Sequence, residues 1–470
     1  MTSPEAVLER PAATPIAGPV PRPAPQVGVW WLSPAGAVLL VVPASLLGAW
    51  LISDARYRSE WTTPKVLTGA FTVVMLLGLV ALVLGASWGQ LRNSRVRRGR
   101  WPVLSAADRA TLHRAGTWTF RATMAGYAAM GALGLARGVS PVRLVLALVT
   151  FSTSDSLKAA FSPVAGLTTF TQVGIAHAVV AGLLLRRRAT AAADRLVRRR
   201  LIVVLVLGAL RAFLLSERLA VLELLVPLLA IAGLRLSVHR RGAARRLVRL
   251  APVVLLPVLL AVFGAFEYAR SWQFYKAHGG SSFTDFVVIR FAGYYATAYN
   301  NAAIADAHAT FPGRLPYWVV EWFWTAPAVS QLHLYERFSG GSATDGFAIA
   351  VQQYGNPEFN NPGGLGVPFV DLGVLGGLLF LLALGVLAGR CWASALAGHP
   401  FGMLLYPVLL TGLFELPRYL YLCQGRVLPA LVVLALIARR LSRGPSPTAA
   451  RIGRRLHPRG LPRLLRAGAR

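Results

Sequence analysis

The chain alternates between long apolar segments and short polar links, as polytopic membrane proteins do. Its apolar runs reach roughly 17 to 25 residues, the length that an α-helix needs to cross a hydrocarbon core of about 30 Å. The pattern predicts an all-α membrane protein with about ten transmembrane helices. We place these helices at residues 27–53, 66–88, 117–135, 166–185, 201–215, 219–234, 250–268, 367–387, 401–414 and 427–438.

The remaining segments give the predicted domain organisation. Residues 1–26 are rich in proline and alanine and are expected to form a disordered cytosolic tail. Seven helices occupy residues 27–268 and three occupy 367–438, with one large extracytoplasmic loop, 269–366, containing short amphipathic helices between them. A further amphipathic helix is expected along the outer interface at residues 140–163. The basic residues 439–470 form a cytosolic C-terminal tail.

Charge sets the predicted orientation. The chain has 49 Lys and Arg against 18 Asp and Glu, a net charge of +31 that by itself would suggest nucleic-acid binding. Its arginines, however, lie in short links between apolar runs, which is the positive-inside pattern. We therefore expect no nucleic-acid partner, a lipid bilayer around the chain, and both termini in the cytoplasm. Cys391 and Cys423 fall on opposite sides, so no disulfide is expected, and no metal-ligand spacing is present.

The first candidate constellation is RAFLLSERLAVLELL, at 211–225. Arg211 interrupts an apolar run, where a charged side chain is costly. A helix continuing through the polar turn would place Arg218 on the same face, with Glu217 nearby. Paired guanidinium groups suit a diphosphate, since each presents a bidentate fork. The alternative is structural: an Arg211–Glu223 or Glu217–Arg218 ion pair that joins two short helices.

The second constellation lies in the large loop, at FTDFVVIRFAGYYATAYNNAA, 283–303. Read as a helix, this segment carries Arg290, Tyr294, Thr297 and Asn301 as one polar stripe. A cation beside a phenol, a hydroxyl and an amide suits a phosphate next to a sugar. The alternative is an interfacial helix whose Arg290 extends to lipid headgroups.

The rest of the loop is rich in Trp, Tyr, Gln and Asn, which suits carbohydrate, although tryptophans also anchor loops to lipid. Asn360 and Asn361 precede a glycine-rich turn that is either a ligand loop or a simple connection. Asp371 either caps its helix or lines the outer vestibule. Arg418 lies near Glu415, so an ion pair is the alternative to substrate binding.

These segments resemble the Wzy-type O-antigen polymerases, also called oligosaccharide repeat unit polymerases. The resemblance covers roughly residues 163–438 and rests on PVAGLTTFTQ, LRAFLLSERLAVLELL, RFAGYYATAYNN and NPGGLGVPFVDLGVLGG. It implies a metal-independent glycosyltransferase without cofactor, in the bacterial plasma membrane, that joins undecaprenyl-diphosphate-linked oligosaccharide units at the outer leaflet. A chain-length regulator and a flippase are candidate partners.

The resemblance and the chemistry together give a set of candidate site residues. The arginines that match the diphosphate-holding positions are Arg211, Arg218 and Arg290, while Glu217, Asp285 and Asp371 are candidates for the general base. The candidate substrate-binding residues are Tyr294, Asn301, Asn360, Asn361, Asp371 and Arg418. Related O-antigen ligases commonly carry a His-Asn pair where this chain has Asn360–Asn361, a departure that leaves the base unassigned and favours polymerase over ligase.

Other functions stay open. A glycosyltransferase using polyprenyl-monophosphate sugars would need a carboxylate pair in the first outer loop, where Asp54 and Glu60 are separated by two arginines. A lipid-linked oligosaccharide flippase or other transporter would be expected to show repeats and mid-membrane charges on several helices, and we find no such repeat. A ligase and a purely structural membrane protein are the remaining alternatives.

Overall fold

The computed structural model describes residues 29–92, 104–150, 155–164, 166, 168–185, 192–215, 217–237, 242–277, 282–308 and 315–443, and these ranges contain helices and no strand. The all-α prediction is confirmed for this part of the chain. Its α-helices are α1 Pro34–Leu51, α2 Asp54–Trp61, α3 Gly69–Arg92, α4 Ala106–Ala136, α5 Pro141–Val149, α6 Asp155–Ala160, α7 Val173–Leu184, α8 Ala192–Leu215, α9 Leu219–Ser237, α10 Gly242–Glu267, α11 Gln273–Ala277, α12 Phe283–His308, α13 Glu321–Trp324, α14 Pro327–Gln331, α15 Leu334–Ser339, α16 Ala343–Tyr354, α17 Val367–Leu396, α18 Pro400–Glu415 and α19 Leu428–Ser442. The proposed tail 1–26 and most of 439–470 lie outside the described residues.

Among the described residues, five helices are long and apolar enough to cross a membrane, which fits a multi-pass membrane protein. They are Pro34–Leu51, Gly69–Leu91, Leu219–Leu236, Val248–Glu267 and Val367–Leu396. A sixth arises if α4 and α5 count as one broken span, since the two meet at 108°. That bend leaves α5 as a separate short helix with most of its apolar side chains exposed, within the segment where the sequence predicts an interfacial helix.

Each of the ten predicted apolar segments lies on a helix, but four of those helices do not qualify as spans by themselves or as part of a bent pair. The apolar helices Thr169–Leu184 and Pro400–Glu415 fall in the 10–17-residue class. At 1.5 Å per residue, helices of that length fall short of a hydrocarbon core of about 30 Å. The apolar part of α8 is interrupted by Arg211 and preceded by three arginines, and α19 has 15 residues.

The helix α12, with 26 residues, is longer than the short amphipathic helices expected in the large loop. The sequence correctly predicts a helix here, but its second half, from Ala296 to Ala305, is buried. This half packs against α1 and α17, and Tyr299 shares a 2.9 Å hydrogen bond with Ser45 of α1. The interfacial alternative for this helix is therefore wrong, because its polar stripe faces protein rather than lipid headgroups.

Besides a small core around α4, α5, α6 and the end of α8, the helices form two larger packed groups that share α9 and α18. One core joins α1, α3, α12 and α17, and the other joins α4, α7, α8 and α19. Helix α18 contributes Tyr406 and Leu410 to the first core and Leu404 and Val408 to the second, and most of its residues are buried. The ends of α8, α10 and α18 carry the charged residues described below.

The pair α3 and α17 packs backbone against backbone. Each helix carries two glycines four residues apart, Gly85 and Gly89 on α3 and Gly385 and Gly389 on α17. A Cβ at any of the four would collide with main-chain atoms of the facing helix, and at Gly389 the obstacle is the backbone of Ala86. Small residues at this spacing allow close helix packing without a hydrophobic driving force between helices.

We therefore expect Gly389→Ala to destabilise the protein by about 1–3 kcal/mol, the usual cost of overpacking. The matched control is Gly131→Ala on α4, where a Cβ would meet no atom within 4 Å. That variant should be neutral or stabilising by about 0.5–1 kcal/mol, since alanine is the better helix former. Melting temperatures of the detergent-solubilised variants test the contrast, and equal values would contradict the close packing.

Candidate functional site

Two arginines meet on one buried carboxylate. Glu267 is fully buried at the end of α10, and its Oε1 accepts a hydrogen bond from Arg218. The other oxygen, Oε2, accepts from Nε of Arg290 at 3.1 Å. Arg218 comes from the turn between α8 and α9, and Arg290 from α12, so the pair joins three parts of the chain. Of the three arginines that the resemblance assigns to the diphosphate, Arg218 and Arg290 share this carboxylate, whereas Arg211 pairs with Glu217.

The local helix geometry explains how Glu267 reaches both partners. After Glu267 the helix widens into a π-helical turn, Tyr268–Trp272, before α11 begins. π-Helical turns are rare in proteins, and those that occur are often found at functional sites. The turn brings Ser271 within 3.4 Å of an Arg290 terminal nitrogen and leads to Tyr275, whose hydroxyl accepts a hydrogen bond from the other at 3.2 Å.

Arg290 holds a second carboxylate. Its two terminal nitrogens donate to the two oxygens of Glu358 at 2.7 and 2.5 Å, in the bidentate arrangement typical of guanidinium and carboxylate. Burial acts to lower the pKa of Arg290, but the hydrogen bonds and charge of Glu358 outweigh it, so its pKa lies above the ordinary value. Burial, together with the negative charge of Glu358, raises the pKa of Tyr275, which therefore stays a hydroxyl donor at neutral pH.

Aromatic rings enclose these guanidinium groups. The Arg218 guanidinium lies 4.1 Å from the ring centroid of Phe263 and donates to the Tyr294 hydroxyl at 3.1 Å. Arg290 lies 4.7 Å from the ring of Phe359. Arg418 lies 5.2 Å from the ring centroid of Tyr294. Cation–π contacts of this kind strengthen when they are shielded from water, so the rings help to hold charges that the interior would otherwise disfavour.

A second ion-pair cluster surrounds Arg211, which is buried. It donates to Glu217 at 3.4 Å, and Gln172 Oε1 accepts from both of its terminal nitrogens, at 2.7 and 2.9 Å, in the amide orientation that satisfies both groups. Glu217 also lies 3.5 Å from Arg426, which pairs with Glu223 at 2.8 Å. Neither alternative from the sequence is right, because Arg211 pairs with Glu217 rather than Glu223 and Arg218 pairs with Glu267.

The two clusters are joined through Arg418. Its ion pair with Glu415, at 3.3 Å, confirms that alternative, and Glu415 is close enough to interact electrostatically with Glu223 and Arg426. The whole belt contains equal numbers of arginines and glutamates. Its members are Arg211, Arg218, Arg290, Arg418, Arg426, Glu217, Glu223, Glu267, Glu358 and Glu415.

Two asparagines from the candidate set support the loop beside the belt. Asn301 donates from its amide to the carbonyls of Phe359 and Asn361, at 2.6 and 2.9 Å, and so fixes the segment that carries Glu358. The side chain of Asn361 is buried, whereas Asn360 is exposed. These contacts give Asn301 a positioning role rather than direct access to a ligand.

Two candidate carboxylates make structural contacts instead. Ser282 caps the start of α12 by accepting the N–H of Asp285 at 3.2 Å, and its hydroxyl donates to the Asp285 carboxylate at 2.7 Å. Asp371 accepts the N–H groups of Tyr317 and Val319, at 3.1 and 2.9 Å, and fixes the loop before α13. Both contacts are structural, and the capping alternative for Asp371 is wrong, because its carboxylate binds the segment before α13 and not the start of its own helix α17.

An apolar groove of about 630 Å³ runs between α10 and α12. Its walls include Leu260, Gly264 and Tyr268 on one side and Phe283, Val287 and Val288 on the other. The groove lies between the two helices that carry Glu267 and Arg290, and none of its lining residues is charged. Most of the other α10 side chains face outward, and only a small share of this helix is buried within the protein.

Sequence reasoning missed Glu267, Glu358 and Arg426 as members of the site. Each had a signal in the sequence. Glu267 is a carboxylate closing an apolar run, Arg426 directly precedes the last apolar run, and Glu358 lies within the motif NPEFNNPGG. A charge at the end of an apolar segment needs a partner, and this rule could have identified the first two.

No protein-family model, no curated protein and no solved structure matches the chain. The resemblance to the Wzy-type polymerases therefore rests on the sequence motifs. The functional roles that the resemblance implies stay predictions. The geometry of the belt is an observation that does not depend on the resemblance.

We expect Glu267→Gln to destabilise the protein by about 3–5 kcal/mol, because it leaves Arg218 and Arg290 buried without their shared counter-charge. The control is Glu60→Gln, which removes the carboxylate of a 3.9 Å pair whose Arg56 side chain is 71% exposed. Pairs of that kind contribute at most about 1 kcal/mol. Thermal unfolding in detergent measures both changes, and similar melting temperatures would show that Glu267 does not hold the arginines.

Proposed function

We propose that the protein polymerises undecaprenyl-diphosphate-linked oligosaccharide repeat units at the outer leaflet of the plasma membrane. The observation that carries this proposal is the meeting of Arg218 and Arg290 on one buried carboxylate, with an apolar groove between the helices that carry Glu267 and Arg290. A lipid-linked diphosphate combines the same two chemistries, a dense negative charge and a long apolar chain.

The reaction uses the arginines to stabilise a leaving group. A hydroxyl of the acceptor unit attacks the anomeric carbon of the donor, a new C–O bond forms, and the bond to the lipid diphosphate breaks. The electron pair leaves with the diphosphate, whose developing charge the guanidinium groups neutralise. Such a direct attack inverts the anomeric carbon, and the fixed, shielded position of Arg218 and Arg290 supports this role without a metal ion.

The proton of the acceptor hydroxyl needs a base. We propose Glu321 of α13, whose segment packs against Gly425, directly before Arg426 of the belt. Burial raises the pKa of this carboxyl group to about 7, against the opposing effect of the Arg426 charge. A pKa near the working pH is what general-base catalysis requires. Gly425 packs against Trp322 and Thr325 of the same segment, so α13 covers the link that carries Arg426.

The proposal includes a finer topology than length and composition establish. It has ten spans, both termini in the cytoplasm and residues 269–366 on the outer side, because the basic links would then all face inward. The shorter helices α7 and α18 would be enclosed by longer neighbours, as their burial supports.

Single cysteines test this orientation in a background in which Cys391 and Cys423 are replaced by serine. Thr344→Cys, at an exposed position in α16, should react with an impermeant thiol reagent on intact cells. Arg443→Cys, after α19, should react only once the cells are permeabilised. Labelling of Arg443→Cys from outside would contradict the orientation.

Arg290→Ala should nearly abolish polymer while single repeat units still reach the cell surface. Removing one preorganised charge contact typically lowers a rate by about 10²–10³. Arg290→Lys should restore activity only in part, since an ammonium group lacks the planar fork that spans two anion oxygens. Gel analysis of surface glycan measures chain length, and immunoblotting of membranes checks that the variant protein is present.

The exposed Arg56→Ala variant is the control and should make normal polymer. Full polymer from Arg290→Ala would remove Arg290 from the reaction. Loss of single units from the cell surface, rather than loss of polymer alone, would favour the flippase alternative, because a transporter acts before any unit is exposed outside.

A further inference from the structure

The two carboxylates bound to Arg290 differ in accessibility. The Glu267 side chain is 0% exposed and is shared with Arg218, whereas that of Glu358 is 33% exposed. Glu358 lies in the short 3-10 turn Pro357–Phe359, outside the long helices. A ligand arriving from the outer side can therefore reach the Glu358 position without disturbing the inner pair.

The donors around Glu358 match a phosphate group. Two Arg290 nitrogens contact its two oxygens at 2.7 and 2.5 Å, and the Tyr275 hydroxyl lies 3.1 Å from Oε2. A guanidinium fork binds two oxygens of a carboxylate or of a phosphate with the same geometry. The carboxylate thus presents its oxygens where two oxygens of a phosphate would be bound.

Because the arginines are already neutralised, a diphosphate has to replace the Glu358 carboxylate rather than bind in addition to it. Arg218 and Arg290 are already neutralised by Glu267 and Glu358. A diphosphate added to that neutral group would bring uncompensated negative charge into a poorly solvated site, which is costly. If Glu358 moves into solvent, the diphosphate inherits its donors and the arginines stay paired.

We infer that the Glu358 carboxylate occupies the site of one phosphate of a lipid-linked diphosphate and is exchanged for it on binding. This inference rests on the proposed function for the identity of the ligand. The exchange itself is a property of the anion site. Because the protein's own carboxylate competes with the ligand, removing its charge should strengthen anion binding.

The test is calorimetric titration of the purified full-length protein in lipid nanodiscs. The probes are inorganic pyrophosphate and geranyl diphosphate, which carries a short isoprenoid chain. Glu358→Gln should lower the Kd for pyrophosphate by about tenfold or more, a change that corresponds to losing one competing charged contact. Glu358→Ala should do the same, and Glu358→Asp, which keeps the charge, should show no gain.

The matched control is Glu336→Gln, which removes one charge from an exposed position of α15 in the same outer segment. It should leave the Kd within about twofold of the wild-type value, because a long-range effect of net charge is screened by salt. Tighter binding of geranyl diphosphate than of pyrophosphate would identify the lipid-linked ligand. Equal binding would indicate a site for free phosphates.

An unchanged or weaker affinity in Glu358→Gln and Glu358→Ala would overturn the inference. So would failure of both variants to fold, since an exchangeable carboxylate must be dispensable for folding. The proposed function is tested separately from the exchange. If Arg290→Ala still makes polymer while Glu358→Gln binds pyrophosphate more tightly, the exchange stands and the polymerase role is lost. If Arg290→Ala makes no polymer while Glu358→Gln does not bind pyrophosphate more tightly, the polymerase role stands and the exchange is rejected.

Discussion

Glu267 is completely buried and accepts hydrogen bonds from two arginines that reach it from separate parts of the chain. An isolated carboxylate or guanidinium in this position would be strongly unfavourable, so each of the three groups depends on the other two. Because the three charged groups must stay together, the turn after α8, the end of α10 and the first half of α12 are held in fixed positions relative to one another. The aromatic rings of Phe263 and Tyr294 complete the enclosure by covering the Arg218 guanidinium.

A site built this way is preorganised for an anion but is already occupied by one. The two carboxylates bound to Arg290 have different roles. Glu267 holds Arg218 and Arg290 in place, and Glu358 neutralises the part of Arg290 that is nearest the surface. Under the proposed function, this arrangement suits a substrate whose negative charge arrives with each catalytic cycle and departs with the released lipid. A permanently buried pair alone would hold the fold together but would offer no accessible position for a ligand.

The sequence was informative where a single physical rule dominates. Hydrophobic runs located every described segment that forms a long apolar helix, and the polar stripe read from the sequence lies on one helix, α12. The pairing of charges was not predictable, because Glu267 and Glu358 lie 91 positions apart and meet through tertiary packing. For the same reason, local spacing suggested Arg211 with Glu223, whereas the break between α8 and α9 turns Arg211 toward Glu217.

The belt lies at the junction of the two helix groups and contains residues from both. Arg211 and Arg426 belong to the side of α8 and α19, whereas Arg290 and Glu358 belong to the side of α12, and α18 with Arg418 lies between them. Arg418 contacts both sides, because it pairs with Glu415 at the end of α18 at 3.3 Å and lies 5.2 Å from the ring centroid of Tyr294 on α12. Arg418 therefore links the packing of the two helix groups.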